Sequence, residues 1–530
     1  MAVGITTRVN HIIAFSGKKF RQTRRQLCIY DEFIHILPGP PLAFAGENHH
    51  RKKNHSIFAR QKTITMKRLV LLILFLLSIY YTSTAQESPE IQIQIEGLPA
   101  GKAYLIGVFA DQNYRADSAV VDANGQFIFN KKEPYKPGLF YVLFADNTNI
   151  QLLLDKDQRF SMRSKKVQLA EAMQVEGSLD NELLYKGIRY DGDFQRRYNT
   201  LNEELKKLDA KSAAHADIKA QLAKLAADRK AYLEADFKQY GDTFYAAFKK
   251  AGQNPELREV NLPDGSAKNA LQVYYFRRDL WENVDLKDVR LLSTPVIANK
   301  LKRYITELTV QHPDSIISSA KYLIDKTLDK PEYFKFFVNW IALKYEPTKS
   351  SLMDAEAVYV SMIQNYITYE RAFWSDSTNI WRLQERAMEM SGSLVGKKAP
   401  NVTANDPNGV SRSIYDIKAP YIVVFMYNPT CDHCIEETPK LVSFYKEWKD
   451  KGLEVYGIAL DTDDKEWKTF LQQYQVPWIN VHDPTNRSIY AKYFVDITPE
   501  LYVINPERKI IAKNIKVAQL AEVLNRDMGK

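Results

Sequence analysis

Cysteine is scarce in this chain: three residues, Cys28, Cys431 and Cys434, among 530. That excludes a disulfide-stapled scaffold and any zinc module built from four cysteines. Histidine is nearly as sparse, and five of the nine lie within the first 65 residues, where no sustained apolar period accompanies them. Long apolar runs are missing too. The longest, at 69–81, has 13 residues and is broken only by Ser78. A membrane span needs about 20 such residues, so this run falls short by about a third.

A basic excess is also missing, although the net charge of +9 hides this. Of the 73 Lys and Arg residues, 13 fall in the first 68 positions, against three Asp and Glu. The remainder carries 60 basic and 61 acidic residues. Nothing is left over to neutralise a phosphate backbone, so nucleic acid is excluded as a partner.

What is present begins with an address. Met66-Lys67-Arg68, the run at 69–81 and Ser83-Thr84-Ala85 supply the charged, apolar and small-residue parts of a secretory signal peptide. Cleavage after Ala85 is expected, which places the mature chain in the periplasm or cell envelope; a retained membrane anchor is the alternative. No cysteine lies beside the cleavage site to accept a lipid. A polar basic stretch is out of place ahead of a signal peptide. Translation is therefore expected to start at Met66, with 1–65 a spurious or disordered extension that takes Cys28 with it. The competing reading is a cytoplasmic tail.

Three regions follow. Residues 86–175 read as a small antiparallel β-sandwich. Ile91, Ile93 and Ile95 alternate with polar neighbours, and further strand candidates at 103–109, 117–122, 126–130, 139–145, 149–154 and 159–163 are separated by turn signals. Nothing in this module forms a site, so a spacer or docking role is expected. Residues 177–392 read as a helical bundle. Leu201, Leu205 and Leu208, then Ile218, Leu222 and Leu225, recur at helical spacing and predict a hairpin of two amphipathic helices. Pro295, Pro313, Pro331 and Pro347 each suit the first turn of a new helix. Tyr333, Phe334, Phe336, Phe337 and Trp340 read as core packing rather than a partner groove.

From 395 to 530 the pattern becomes α/β: a strand at 421–427, a helix at 436–449, a strand at 453–460, a helix at 465–474, a strand pair at 501–505 and 509–512, and a last helix at 517–525. Between the first strand and its helix stands Asn428-Pro429-Thr430-Cys431-Asp432-His433-Cys434. Cys431 falls where unpaired backbone N–H groups and the positive end of the helix dipole favour a thiolate. Cys434, one turn on, shares that face and can resolve a mixed disulfide formed at Cys431. A protonated His433 would stabilise the thiolate and Asp432 would oppose it, so the direction of electron flow stays open; an exposed His433 without a tuning role is the plain alternative. Glu437, three residues after Cys434, can take or return the proton of the resolving thiol; the alternative is a first-turn Glu favoured by the dipole.

Residues 396–525 resemble the TlpA/ResA branch of the thioredoxin superfamily. The resemblance rests on Gly396-x-x-Ala399-Pro400, on Cys431-x-x-Cys434-x-x-Glu437-x-Pro439 after a strand, and on Thr498-Pro499 ahead of Leu501-Tyr502-Val503-Ile504. It implies a thioredoxin-like C-terminal domain and a thiol–disulfide oxidoreductase of the cell envelope. Cys431 would be the attacking thiol, Cys434 the resolving one, Glu437 a carboxylate facing the pair and Pro499 a cis-proline beside them. A cis bond would leave the Thr498 backbone exposed to an extended substrate segment. The expected partners are thiol and disulfide proteins and a membrane electron donor; the expected cofactor set is none beyond the Cys431–Cys434 redox pair. Two positions depart from the pattern. Phe425 stands where thioredoxin has a buried Asp, which leaves Glu437 as the candidate base. Glu500 follows Pro499 where a smaller polar residue is common, and is expected to add negative charge at the rim of the site. The two N-terminal regions resemble uncharacterised ones fused to such domains, which implies architecture and no activity.

Other chemistries compete. In an envelope-binding protein the pair could be an inert structural disulfide. Metal binding by Cys431, Cys434, His433 and His482 has too few well-placed ligands. A peroxidase is disfavoured because Thr430 adjoins Cys431 instead of preceding it by three residues.

Overall fold

The computed structural model describes residues 88–529 apart from 259, 261–267, 348, 486–488, 490 and 491. The expected signal peptide, the stretch before it and Cys28 lie outside the described residues.

The β module holds eight strands: β1 (Glu90–Glu96), β2 (Gly101–Phe109), β3 (Gln112–Val121), β4 (Gln126–Asn130), β5 (Gly138–Leu143), β6 (Asn149–Leu154), β7 (Arg159–Lys165) and β8 (Gln174–Glu176). They form two four-stranded sheets, β4-β1-β7-β8 and β3-β2-β5-β6. The alternation in β1 sends its three isoleucines inward, as read. One pairing differs from the expected antiparallel pattern: β1 runs parallel to β7. The intervening strands supply the long connection that a parallel pair requires.

Among the described residues nine α-helices follow: α1 (Leu179–Leu205), α2 (Ala213–Gln239), α3 (Phe244–Ala251), α4 (Lys268–Asp279), α5 (Pro295–Lys302), α6 (Pro313–Asp325), α7 (Pro331–Lys344), α8 (Ala355–Tyr366) and α9 (Ser377–Ser391). α1 and α2 pack on each other, and the Ser212 side chain caps α2 by accepting the His215 N–H. Pro295, Pro313 and Pro331 open helices; Pro347 sits in a turn, which its fixed φ also suits. Tyr333, Phe334 and Phe337 are buried, with Phe336 and Trp340 packed against them from the edge. The β module and the helices share one continuous core, in which Leu152, Leu183, Tyr245, Ile297 and Phe337 all take part. Asn181, at the start of α1, ties the two together by pairing both ways with the Leu153 backbone, at 2.7 and 2.8 Å.

The last region contains β9 (Thr403–Asn405), β10 (Ser411–Ser413), β11 (Tyr421–Tyr427), α10 (Asp432–Trp448), β12 (Leu453–Ala459), α11 (Asp464–Tyr474), β13 (Ile479–His482), β14 (Glu500–Ile504), β15 (Ile510–Lys513) and α12 (Leu520–Asp527). The strands form one mixed sheet in the order β10-β9-β13-β12-β11-β14-β15. Central β11 is buried throughout, parallel to β12 and antiparallel to β14. One face, with Val423, Phe425, Leu501 and Val503, packs with residues of α10, α11 and α12. The other, with Val424, Met426, Tyr502 and Ile504, packs with Ala399, Val402 and Ile414 from the start of the domain. Among the described residues no helix is long and apolar enough to cross a membrane.

Candidate active site

β11 delivers the chain to a tight turn, and α10 leaves from it. Asn428 organises that turn: its Oδ1 accepts the Thr430 N–H and hydroxyl at 2.8 Å each, and its carbonyl accepts the Cys431 N–H at 3.1 Å. Cys431 is then the N-cap of α10, with extended backbone, φ −82° and ψ 124°. Its thiol is half-buried and that of Cys434 is buried.

The two sulfurs meet different surroundings. Burial works against ionising Cys431, but the Cys434 N–H, the Cys434 thiol and the His433 N–H outweigh it and hold this thiol below its ordinary value. Burial pushes Cys434 up to about 12, although the Asn428 N–H reaches its sulfur at 3.4 Å. The result is one sulfur ready to be a thiolate and one held as a thiol.

Across from α10, the Thr498–Pro499 peptide is cis. The Thr498 carbonyl accepts the Cys431 thiol at 3.3 Å, and its side chain adds to holding that thiol low. The structure thus brings together Cys431, Cys434, Thr498 and Pro499. Asp432 and His433 are exposed on the first turn, and His433 acts on Cys431 through its backbone N–H.

Glu437 is placed differently from the expectation. One oxygen accepts the Lys440 ammonium at 2.8 Å and the other the Val517 N–H at 3.1 Å, so its carboxylate ties α10 to the turn before α12. It is neither a free surface Glu nor bonded to either sulfur.

Glu500 corrects the expectation of negative charge at the rim. It is 4% exposed and turned inward, because β14 puts residues 500, 502 and 504 on the face away from α10. Its Oε1 accepts the N–H groups of Asp496 and Ile497 at 3.2 and 3.5 Å, and its Oε2 meets the Tyr502 hydroxyl at 3.2 Å.

Behind Cys434, Phe425 stacks on Tyr427 with ring centroids 5.0 Å apart. The Trp467 indole donates to the Tyr427 hydroxyl, which in turn reaches Asn480 Oδ1, each at 3.1 Å. This buried chain was not anticipated; its signal was the alternation in β11, which places Tyr427 on the face of Phe425. His482 sits 3.0 Å from the Thr462 carbonyl and beside the Trp467 ring. Among the described residues no cluster of three or more His, Cys, Asp or Glu is arranged to hold a metal ion. A groove of about 420 Å³ opens next to the turn, lined by Pro429, Thr430, Ile435, Glu466, Phe470 and Tyr474.

Known proteins match this same region. Residues 395–513 match the AhpC/TSA family, while 90–184 and 214–390 each match a domain of unknown function, DUF4369 and DUF5106. A thiol-disulfide oxidoreductase ResA of Bacillus cereus is 30% identical over 123 residues, which are 23% of this chain and 69% of that one. The chain belongs to the ResA-like thiol–disulfide oxidoreductases. The Bacillus subtilis ResA is 28% identical over 116 residues, 22% of this chain, and the match spans 64% of that relative's length. A solved domain of a possible thiol-disulfide isomerase from Cytophaga hutchinsonii is 36% identical, covering 26% of this chain and 94% of that one, with a TM-score of 0.25. The C-terminal region is the thioredoxin-like domain of this family, and of the residues that carried the resemblance in sequence, Thr498 and Pro499 stand beside the Cys431–Cys434 pair.

Proposed function

We propose that this protein is an exported protein disulfide reductase, cycling Cys431 and Cys434 through a mixed disulfide and recharged by a membrane electron donor. The observation that carries the reading is the asymmetry of the pair, with Cys431 lowered and accessible and Cys434 buried and raised. The Cys431 thiolate attacks one sulfur of a partner disulfide; that S–S bond breaks and the second partner sulfur leaves as a thiolate. Cys434 then gives up its proton and attacks Cys431, forming the intramolecular disulfide and releasing the reduced partner. Two electrons pass to the partner, and the donor restores the dithiol.

The cis-proline loop and the neighbouring groove give an extended partner segment a place to lie, with the Thr498 backbone beside the reacting sulfur. A peroxidase reading gains no support from Thr430, whose hydroxyl bonds to Asn428. The signal-peptide pattern in the sequence at 66–85 supports export, and mature protein is expected to begin near Gln86 on N-terminal sequencing.

The test is a trapping comparison. Cys434→Ser accumulates mixed disulfides with envelope proteins, Cys431→Ser traps few or none, and the wild type reduces insulin. Equal trapping by both variants, or a pair potential below about −300 mV as in structural disulfides, overturns the reading.

A further inference from the structure

The helical region and the redox domain meet at a buried polar cluster that the disulfide chemistry does not use. From the helical side come Asp354 and Glu356 at the start of α8; from the redox domain come Glu500 and Tyr502 of β14 and Lys513 of β15, with the exposed Asn514 at the edge. Glu356 takes the Asn514 amide at 2.6 Å and lies 3.7 Å from the Lys513 ammonium, which sits over the Tyr502 ring. Asp354 accepts the Val395 N–H at 3.0 Å. Burying three carboxyls around one lysine costs far more than filling the space with apolar side chains. Such a cluster calls for a reason.

Glu500 reaches back over the cis peptide to the two amides that lead into Thr498. Thr498 in turn presents its carbonyl to Cys431, and its side chain adds to the lowering of that thiol. The same loop is held from the helical side, where Arg386 of α9 pairs with Asp496 at 3.4 Å and stacks on Phe494. We propose that Glu500 is a positioning residue for the redox site: it sets the Thr498 segment against Cys431, and the helical region supports that segment through Arg386. This deepens the oxidoreductase reading and rests on it, assigning the helical region a part in tuning the reactive thiol.

Hydrogen-bond accounting says which substitution preserves the role. A proton on Glu500 Oε2 can be donated to the Tyr502 hydroxyl, whose own proton then goes to the Tyr493 carbonyl 3.2 Å away. Oε1 accepts the two loop amides in either protonation state. Glutamine reproduces that arrangement, with its carbonyl toward the amides and its NH₂ toward Tyr502. Alanine takes the acceptor away from both part-buried amides.

The experiment measures iodoacetamide alkylation of Cys431 in the reduced full chain across a pH series, read by the mass of the Cys431 peptide. Glu500→Ala is expected to slow alkylation at pH 7 by about tenfold, as a rise of roughly one pKa unit in the thiol does once the Thr498 side chain no longer helps to hold it low. Glu500→Gln is expected to stay within about twofold of wild type, and Arg386→Ala to slow the reaction by about two- to threefold, since thiolate fraction sets the rate. A folded Glu500→Ala protein with the wild-type pH profile overturns the proposal, and so does a Glu500→Gln protein as slow as Glu500→Ala. If circular dichroism shows Glu500→Ala unfolded, Arg386→Ala decides: a slowed Cys431 supports the proposal and an unchanged one overturns it. Alkylation reads the thiol itself, so a wild type unable to reduce insulin would sink the reductase reading and leave this result standing.

Discussion

The two faces of β14 are built on opposite principles. Leu501 and Val503 join an apolar layer under α10 and α12, where shape alone has to match. Glu500 and Tyr502, one residue out of phase, face carboxyls and a lysine brought partly from the helical region. An apolar contact tolerates small slides and is indifferent to pH, whereas a cluster of partly protonated carboxyls is specific in geometry and carries a proton count. The β module and helices merge into one largely apolar core, and Asp354, Glu356, Glu500 and Lys513 are buried where the helices meet the redox domain.

The sharpest way to break this comparison is to remove the cluster's lysine, Lys513. Burial raises both Asp354 and Glu500 to about 7, with Lys513 pulling each down and Glu356 pushing each up. Unfolded carboxyls titrate near 4, so these two groups contribute stability that is full below about 4 and is lost as pH rises through about 7. Lys513→Met is expected to destabilise by about 3–5 kcal/mol at pH 8, the range for stranding a buried charge, and by less than half of that at pH 5. Leu501→Ala, on the apolar face, is expected to lose about 2–5 kcal/mol equally at both values. Urea unfolding of the two variants at pH 5 and pH 8 checks this. A Lys513→Met loss that ignores pH would show that the cluster holds no extra proton.

The site was more legible in sequence than its supports. Cys431 could be placed at a helix start because a seven-residue apolar strand precedes it and helical periodicity follows, both local patterns. Helix starts at Pro295, Pro313 and Pro331 were legible for the same reason. β9, β10 and β13 have three or four residues each, too short to show a period of two, and only pairing partners far along the chain make them strands. Glu500 was misplaced because adjacency to Pro499 suggested the rim. Its true direction depends on strand phase, which puts it on the face of Tyr502 and Ile504, and on the buried company there, including Lys513 and, from the helical region, Glu356. Buried charge is decided by non-local company, which no window of sequence contains.

The smallest expected effect concerns Glu437, which sequence placed beside the sulfurs and the structure ties to Lys440 and Val517. Its pairing with Lys440 is an exposed i, i+3 contact, worth about 0.5 kcal/mol or less. Glutamine at this position still offers a carbonyl to the Val517 N–H. Glu437→Gln is therefore expected to cost no more than about 0.5 kcal/mol and to leave release of the Cys431 mixed disulfide within about twofold of wild type. Stopped-flow measurement of that release with a single-disulfide peptide reads the second step alone. A release slowed tenfold, with unfolding unchanged, would return Glu437 to the role of proton acceptor for Cys434. The carboxylate would then have to leave Val517 during the cycle, coupling the turn before α12 to the resolving sulfur.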